Sequence, residues 1–339
     1  MFGLEPKVSG FTRRWQAEIG EHAISLAWSP DGSLLAAAAV GGPITVLDAV
    51  KGDVRQTFPG HGFGTCALSW GPRLASVGQD GTVKLWDVSD PKPVQEMKGG
   101  AAWVERVAWS PNGQWLASAA GRKLKLWKPD GTLVREYPVQ PSTVSDIQWR
   151  PGFEELASTA YGQVCVWTPD RDEPGHTFSW KGSSLVVAWS PDGKYIATGD
   201  QDSTVHFWMV KTGVDLMMSG YQTKVRELSW DHTSTLLATG GSNFCCVWDC
   251  SGKGPEGTEP AMLKAHEMLL SAVAFQHRGS ILATAGLDGL VVLWRPAKNR
   301  KPIAQVDVGS GVSQLAWSPD DRHIAVGTET GHVEVRTLI

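Results

Sequence analysis

One unit recurs along this 339-residue chain, and its period constrains the fold more than any other feature. The clearest copy starts at Gly60 and His61, passes through an apolar run ending at Ser69-Trp70, and continues with Leu74-Ala75-Ser76, Gln79-Asp80-Gly81 and Thr82-Val83-Lys84-Leu85-Trp86-Asp87. Its first anchor aromatic recurs as Trp28, Trp70, Trp109, Trp149, Trp189, Trp230, Phe275 and Trp317, spaced by 39 to 45 residues. A second series closes the third strand-like run of each copy: Leu47, Trp86, Trp127, Trp167, Trp208, Trp248, Trp294 and Arg336. The two departures from Trp in this series fall in the terminal copies, which are atypical in repeat arrays.

Within a copy the strands are separated by turns with a local chemical cause. In Ser29-Pro30-Asp31-Gly32, Pro presets φ, Asp bonds the nearby backbone and Gly accepts a positive φ. A looser outer run follows each third strand, as in Val54–Phe58 or 303–307. Four short strands per repeat at this period predict an all-β, closed propeller with four antiparallel strands per blade. The anchors give eight blades, with a seven-bladed ring and an irregular end as the alternative. The last copy reaches Ile339 with three strands only, whereas residues 10–18, around Trp15, have no partner of their own. That N-terminal strand is predicted to complete the last blade, because closure removes the free edges of an open stack. Residues 1–339 then form a single propeller domain, and the Gly- and Pro-rich stretch 250–260 is a surface excursion.

Composition excludes several classes. Hydrophobic residues make up 42% and charged residues 19%, which is globular rather than disordered. A net charge of −4 and a pI near 6.1 argue against a nucleic-acid-coating protein. Neither a signal peptide nor a membrane-length apolar run is present, so no membrane association and a cytoplasmic location are expected. The five cysteines are odd in number and sit mostly in strand-like runs, which fits reduced thiols. Cys245 and Cys246 are adjacent on a strand and point to opposite faces, so they do not readily share an ion. No metal or cofactor is expected, and a metal-handling accessory role is kept as an alternative. Motifs of nucleophilic, zinc-peptidase or phosphate-cradling sites are absent, so the chain is not read as an enzyme.

At His61, Ser76, Asp80 and Trp86, and again at His266, Thr284, Asp288 and Trp294, the chain resembles the WD-repeat propeller family over essentially its whole length. The resemblance implies that each set forms a hydrogen-bonded relay inside a packed blade, where an unpaired polar group costs about 1–3 kcal/mol. These residues are therefore structural rather than catalytic. Trp208 keeps Thr198 and Asp202 without a His, while Trp127, Trp167 and Trp248 keep only Ser118, Ser158 and Thr239. The resemblance also implies that the loops from outer to inner strands, and the turns between second and third strands, line one face around the central channel where partners dock. There the sequence places Phe63, Trp103, Trp180, Tyr221 and Met268, with Tyr161 and Leu287 in neighbouring turns. Large aromatics are typical interface anchors. Trp103 and Trp180 have a second reading, as fillers of the space that a missing His leaves. Arg295, Lys298, Arg300 and Lys301 form a basic loop on the opposite face, read as solvated charge. The expected function is a monomeric, non-catalytic scaffold docking one or more proteins or peptides; an aromatic cage for a small cation is the other alternative.

Overall fold

The computed structural model describes residues 8–252 and 254–339, and regular structure among them consists of strands arranged in eight four-stranded antiparallel sheets. Each sheet is one blade. Blades 1 to 7 occupy residues 23–58, 65–98, 106–136, 146–179, 184–218, 228–264 and 270–307, each with its strands in sequence order from the inner to the outer edge. Blade 8 combines residues 312–338 with Phe11–Glu18, whose strand lies outermost, beside His332–Leu338. The inner strand of blade 8 packs against that of blade 1, so the ring is closed with eight blades, and the seven-bladed alternative falls away.

The recurrent motifs have identifiable work in this architecture. In the first turn, Ser29 Oγ donates to Asp31 Oδ1 (2.6 Å), Asp31 accepts from the Ser33 N–H (3.0 Å), and Gly32 sits at φ 70°. The same Ser-to-Asp or Ser-to-Asn bond recurs at Ser110, Ser190 and Ser318. Anchor indoles join neighbouring blades. Trp28 Nε1 donates to Ala316 O (3.0 Å), Trp149 to Ala108 O (3.0 Å), Trp189 to Gln148 O (3.2 Å), Trp230 to Ala188 O (3.3 Å) and Trp317 to Ala274 O (2.9 Å). Each acceptor is the residue just before the preceding blade's own anchor. Second strands such as Leu34–Ala39 and Leu116–Ala120 are small and almost fully buried, which lets adjacent blades approach closely.

Ring closure has its own fastening. Phe11 pairs with Leu338 and Glu18 with His332 across the last sheet. Trp15 is buried against Ala49 and Leu47 of blade 1, and its Nε1 donates to Ala49 O (2.9 Å). Gly52, at φ 77°, faces that indole so closely that a Cβ would stand 2.7 Å from Trp15 Cδ2. Arg336, in the position that is Trp in six other blades, pairs with buried Glu334 and lies 5.5 Å from the centre of the Phe11 ring.

Candidate functional site: the loop face and the relays beneath it

Because the strands of each blade alternate in direction, the connections from outer to inner strands and the second-to-third-strand turns all emerge at one end of the ring. Beneath them lie the polar relays. In blade 2, Trp86 Nε1 donates to Ser76 Oγ (2.7 Å), which turns the Ser76 hydroxyl proton towards His61 Nε2 (2.7 Å). The remaining ring proton, on Nδ1, then meets Asp80 Oδ1 (2.8 Å). That chain specifies a neutral imidazole, and burial correspondingly pushes His61 below its ordinary pKa despite the carboxylate. Burial works against the Asp80 anion, yet hydrogen bonds from Thr82 and His61, together with Lys84, hold its carboxyl well below the usual range. In blade 7, Trp294 Nε1 reaches Thr284 Oγ1 (2.9 Å), Thr284 meets His266 Nε2 (2.9 Å), and His266 Nδ1 meets Asp288 Oδ1 (3.2 Å).

Each relay carboxylate has a second oxygen, and it points at the surface. Asp80 Oδ2 accepts from the Gly62 N–H (3.1 Å) and Asp288 Oδ2 from the Glu267 N–H (2.8 Å). The next residues along the chain are Phe63, 89% exposed, and Met268, 51% exposed. Phe63 also has φ 65°, the left-handed region that a side chain of its size rarely adopts. Trp103 is 54% and Tyr161 58% exposed on the same face, where Val40, Val139 and Leu269 are exposed as well. Those three lack aromatic character and escape a search for anchor residues. Leu287 is only partly buried, at the start of its turn.

Two of the residues expected at this face are turned into their blades instead. Tyr221 OH accepts from Trp248 Nε1 (2.9 Å) and contacts Thr239 Oγ1 (3.0 Å), standing in for the missing His of blade 6. Trp180 lies over His206 with ring centres 3.9 Å apart and donates to Ser184 Oγ (3.3 Å). Both occur nine residues before their blade's anchor, as do His61 and His266. In blade 3 that position is Gly100, and Lys125 fills the space, its Nζ donating to Lys98 O (3.1 Å) and lying 5.5 Å from the Trp127 ring centre. In blade 4 the position holds the buried Gln140. Trp127 and Trp167 still donate to Ser118 (2.9 Å) and Ser158 (2.8 Å).

Blade 5 differs from the sequence expectation in one further respect. Thr198 Oγ1 donates to Asp200 Oδ1 (3.1 Å), while Asp202 accepts from Thr204. Burial raises the Asp200 carboxyl to about 7 from an ordinary 3.8. Between those values the unfolded chain loses this proton and the folded one keeps it, so stability falls as pH rises and the penalty is complete above about 7. Asp200→Asn is therefore expected to stabilise the protein at about pH 8, by up to about 4 kcal/mol, and to lose that advantage by about pH 4. Chemical-denaturation midpoints at both pH values measure it, and an equal effect at both excludes the buried carboxyl as the cause.

The cysteine positions separate rather than converge. Cys245 is buried in the core shared with blade 7, whereas Cys246 and Cys250 lie in that shared with blade 5. Burial pushes the Cys246 and Cys250 thiols up to about 11 and about 12. Among the described residues no group of three or more His, Cys, Asp and Glu side chains is placed to hold a metal ion. Nor is any helix among them long and apolar enough to cross a membrane. A cavity of about 780 Å³ opens on the opposite face between blades 7 and 8, and Arg295 of the basic loop lines it with Arg14, Arg278 and Arg322.

Comparison with known proteins agrees with the architecture. Residues 22–255 match the model of the IFT122 first beta-propeller, and residues 257–295 and 301–335 match the WD domain, G-beta repeat. The WD repeat-containing protein slp1 of Schizosaccharomyces pombe is 24% identical over 80% of this chain and 49% of its own length. The anaphase-promoting complex subunit cdc20 of Dictyostelium discoideum is 30% identical over 69% of this chain and 51% of its own. The chain thus spans about half the length of these relatives. A crystal structure of the computationally designed Ika8 protein superposes with a TM-score of 0.82 at 22% identity, covering 98% of this chain and all of that one. With both anchor series, eight closed blades and matched repeats from residue 22 to residue 335, the chain belongs to the WD-repeat β-propeller family.

Proposed function

We propose that this chain is a non-catalytic, cytoplasmic interaction scaffold that acts as a monomer and docks a protein or peptide on its loop face. The observation that carries this reading is Phe63, a phenyl ring held 89% exposed at a positive φ by a relay-anchored loop. Exposure of an apolar ring and a left-handed backbone are both unfavourable in the free protein, and strain of this kind concentrates at functional sites. Trp103, Tyr161 and Met268 add exposed apolar area on the same rigid frame, which limits the ordering entropy lost on binding. A relative named as a complex subunit, cdc20, is in keeping with such a role.

The test separates binding from folding. Phe63→Gly relieves the backbone and is expected not to lower the unfolding midpoint, since Gly is at home at this φ. Combined with Trp103→Ala and Tyr161→Ala, it is expected to abolish capture of whatever protein the tagged parent retains from its native cell. Retention of every partner by the folded triple variant overturns the docking face.

A further inference from the structure

Charge on the loop face is segregated, and the two halves differ in sign. The loops of blades 3 to 6 present Arg122, Lys181, Lys224 and Arg226, all exposed. Those of blades 7, 8, 1 and 2 present Glu267, Glu329 and Glu21, also exposed, and carry no Lys or Arg. Three of the carboxylates on the basic half have partners within the chain, and Glu105 stands beside them. Asp146 is bonded to Arg106 (3.2 Å) and to the Val187 N–H (3.0 Å), Asp202 accepts from Thr204 (2.7 Å), and Glu227 accepts from the Gly241 N–H (3.1 Å). A recess of about 280 Å³ opens at the inner-strand ends of blades 3 to 6, where Arg106 and Arg226 stand with Glu105 and Asp146, so the recess itself is balanced in charge and the excess of cations lies in the loops around it. Trp103 stands two residues before Glu105 of the recess wall, and Tyr161 rises from the next blade.

Two of the apolar anchors, Trp103 and Tyr161, thus share one half of the face with exposed cations, while Phe63 and Met268 stand on the other half. Resting on the docking reading above, we propose that the docked partner is an acidic segment bearing apolar side chains, laid across blades 3 to 6. Its apolar groups cover Trp103 and Tyr161, while its carboxylates meet Lys181, Lys224 and Arg226. The acidic half of the ring repels the same segment, so charge selects both the partner and the side it occupies. Because these charges are exposed, the attraction weakens as salt shortens the screening length.

Selection from a library of random short peptides displayed on phage, with the intact chain as bait, tests the proposal without assuming a partner. Enriched sequences are expected to combine Asp or Glu with Trp, Phe or Leu. Fluorescence anisotropy of a labelled winner is expected to show affinity at least about tenfold weaker in the Lys181→Glu, Lys224→Glu, Arg226→Glu variant, and weaker at higher salt. The control Arg300→Glu, Lys301→Glu, on the opposite face, leaves it unchanged. Enrichment of neutral or basic sequences, no enrichment, or binding that survives charge reversal overturns the acidic partner. Phe63→Gly combined with Trp103→Ala and Tyr161→Ala then decides the docking reading: it stands if the triple variant abolishes binding of the enriched peptide, and falls if it does not. A concentration-dependent dimer in light scattering, abolished by the same charge reversal and not competed by any acidic peptide, also overturns the proposal in favour of a second copy of this chain.

Discussion

A chain shortened to begin at Ile19 is expected to lose its cooperative fold. The missing strand covers His332–Leu338, whose Glu334 is 1% and Arg336 7% exposed while the ring is closed. Its loss opens a sheet edge, and unpaired edges recruit other chains. It also removes Trp15 from the seam with blade 1; emptying a buried Trp site alone costs about 3–5 kcal/mol. Size-exclusion chromatography with light scattering should show association, and thermal unfolding should broaden or disappear. A circular permutant distinguishes a missing strand from a missing terminus. Ser9 N already donates to Ile339 O (2.7 Å), so a short turn joining these ends, with new termini in residues 19–22, should restore a monomer with parental stability. If the shortened chain unfolds as sharply as the parent, closure by that strand does not hold the ring together.

Ser76→Ala is the second substitution with a large expected effect. The replacement removes the hydroxyl without adding bulk and leaves two buried groups, Trp86 Nε1 and His61 Nε2, without their shared partner. At about 1–3 kcal/mol for each orphaned group, a loss of about 2–5 kcal/mol in urea unfolding is expected. Ser118→Ala in blade 3 orphans Trp127 Nε1 alone and should cost about half as much. Equal losses at the two sites would show that the imidazole contributes nothing to the relay. The pH dependence follows from the same groups. His61 and His266 are both held below an ordinary 6.5, so the stability gained from burying them neutral is lost as pH falls below that value. Asp80 and Asp288 add a further loss as pH falls below 3.8.

Why the architecture was legible and part of the face was not comes down to the range of the interactions. Blade number, strand order and the role of residues 10–18 follow from anchors and turns whose cause is local: Ser-Pro-Asp-Gly closes a turn wherever it stands, and an indole every 40 residues or so keeps a count. Tyr221 and Trp180 have a non-local cause. Each is an aromatic in a loop, and only its position nine residues before the blade's anchor marks it as occupying the place of a His. Applied to every blade, that offset would have separated these inward-facing residues from Phe63 and Tyr161. Lys125 and Asp200 had no such signal. The first fills a space created by Gly100 in a neighbouring segment, and the second is buried by packing that no spacing encodes.

The indole that reaches back one blade has a consequence for how such rings change size. Blades 4, 5 and 8 each bring a donor for their predecessor and offer a carbonyl to their successor, so one such repeat holds half of two different joints. A duplicated repeat arrives already equipped to bond on both sides, and a deleted one leaves a matching pair behind. Gain or loss of a whole blade therefore needs no new chemistry at the seams, and ring size is decided by the angle at which neighbouring sheets pack.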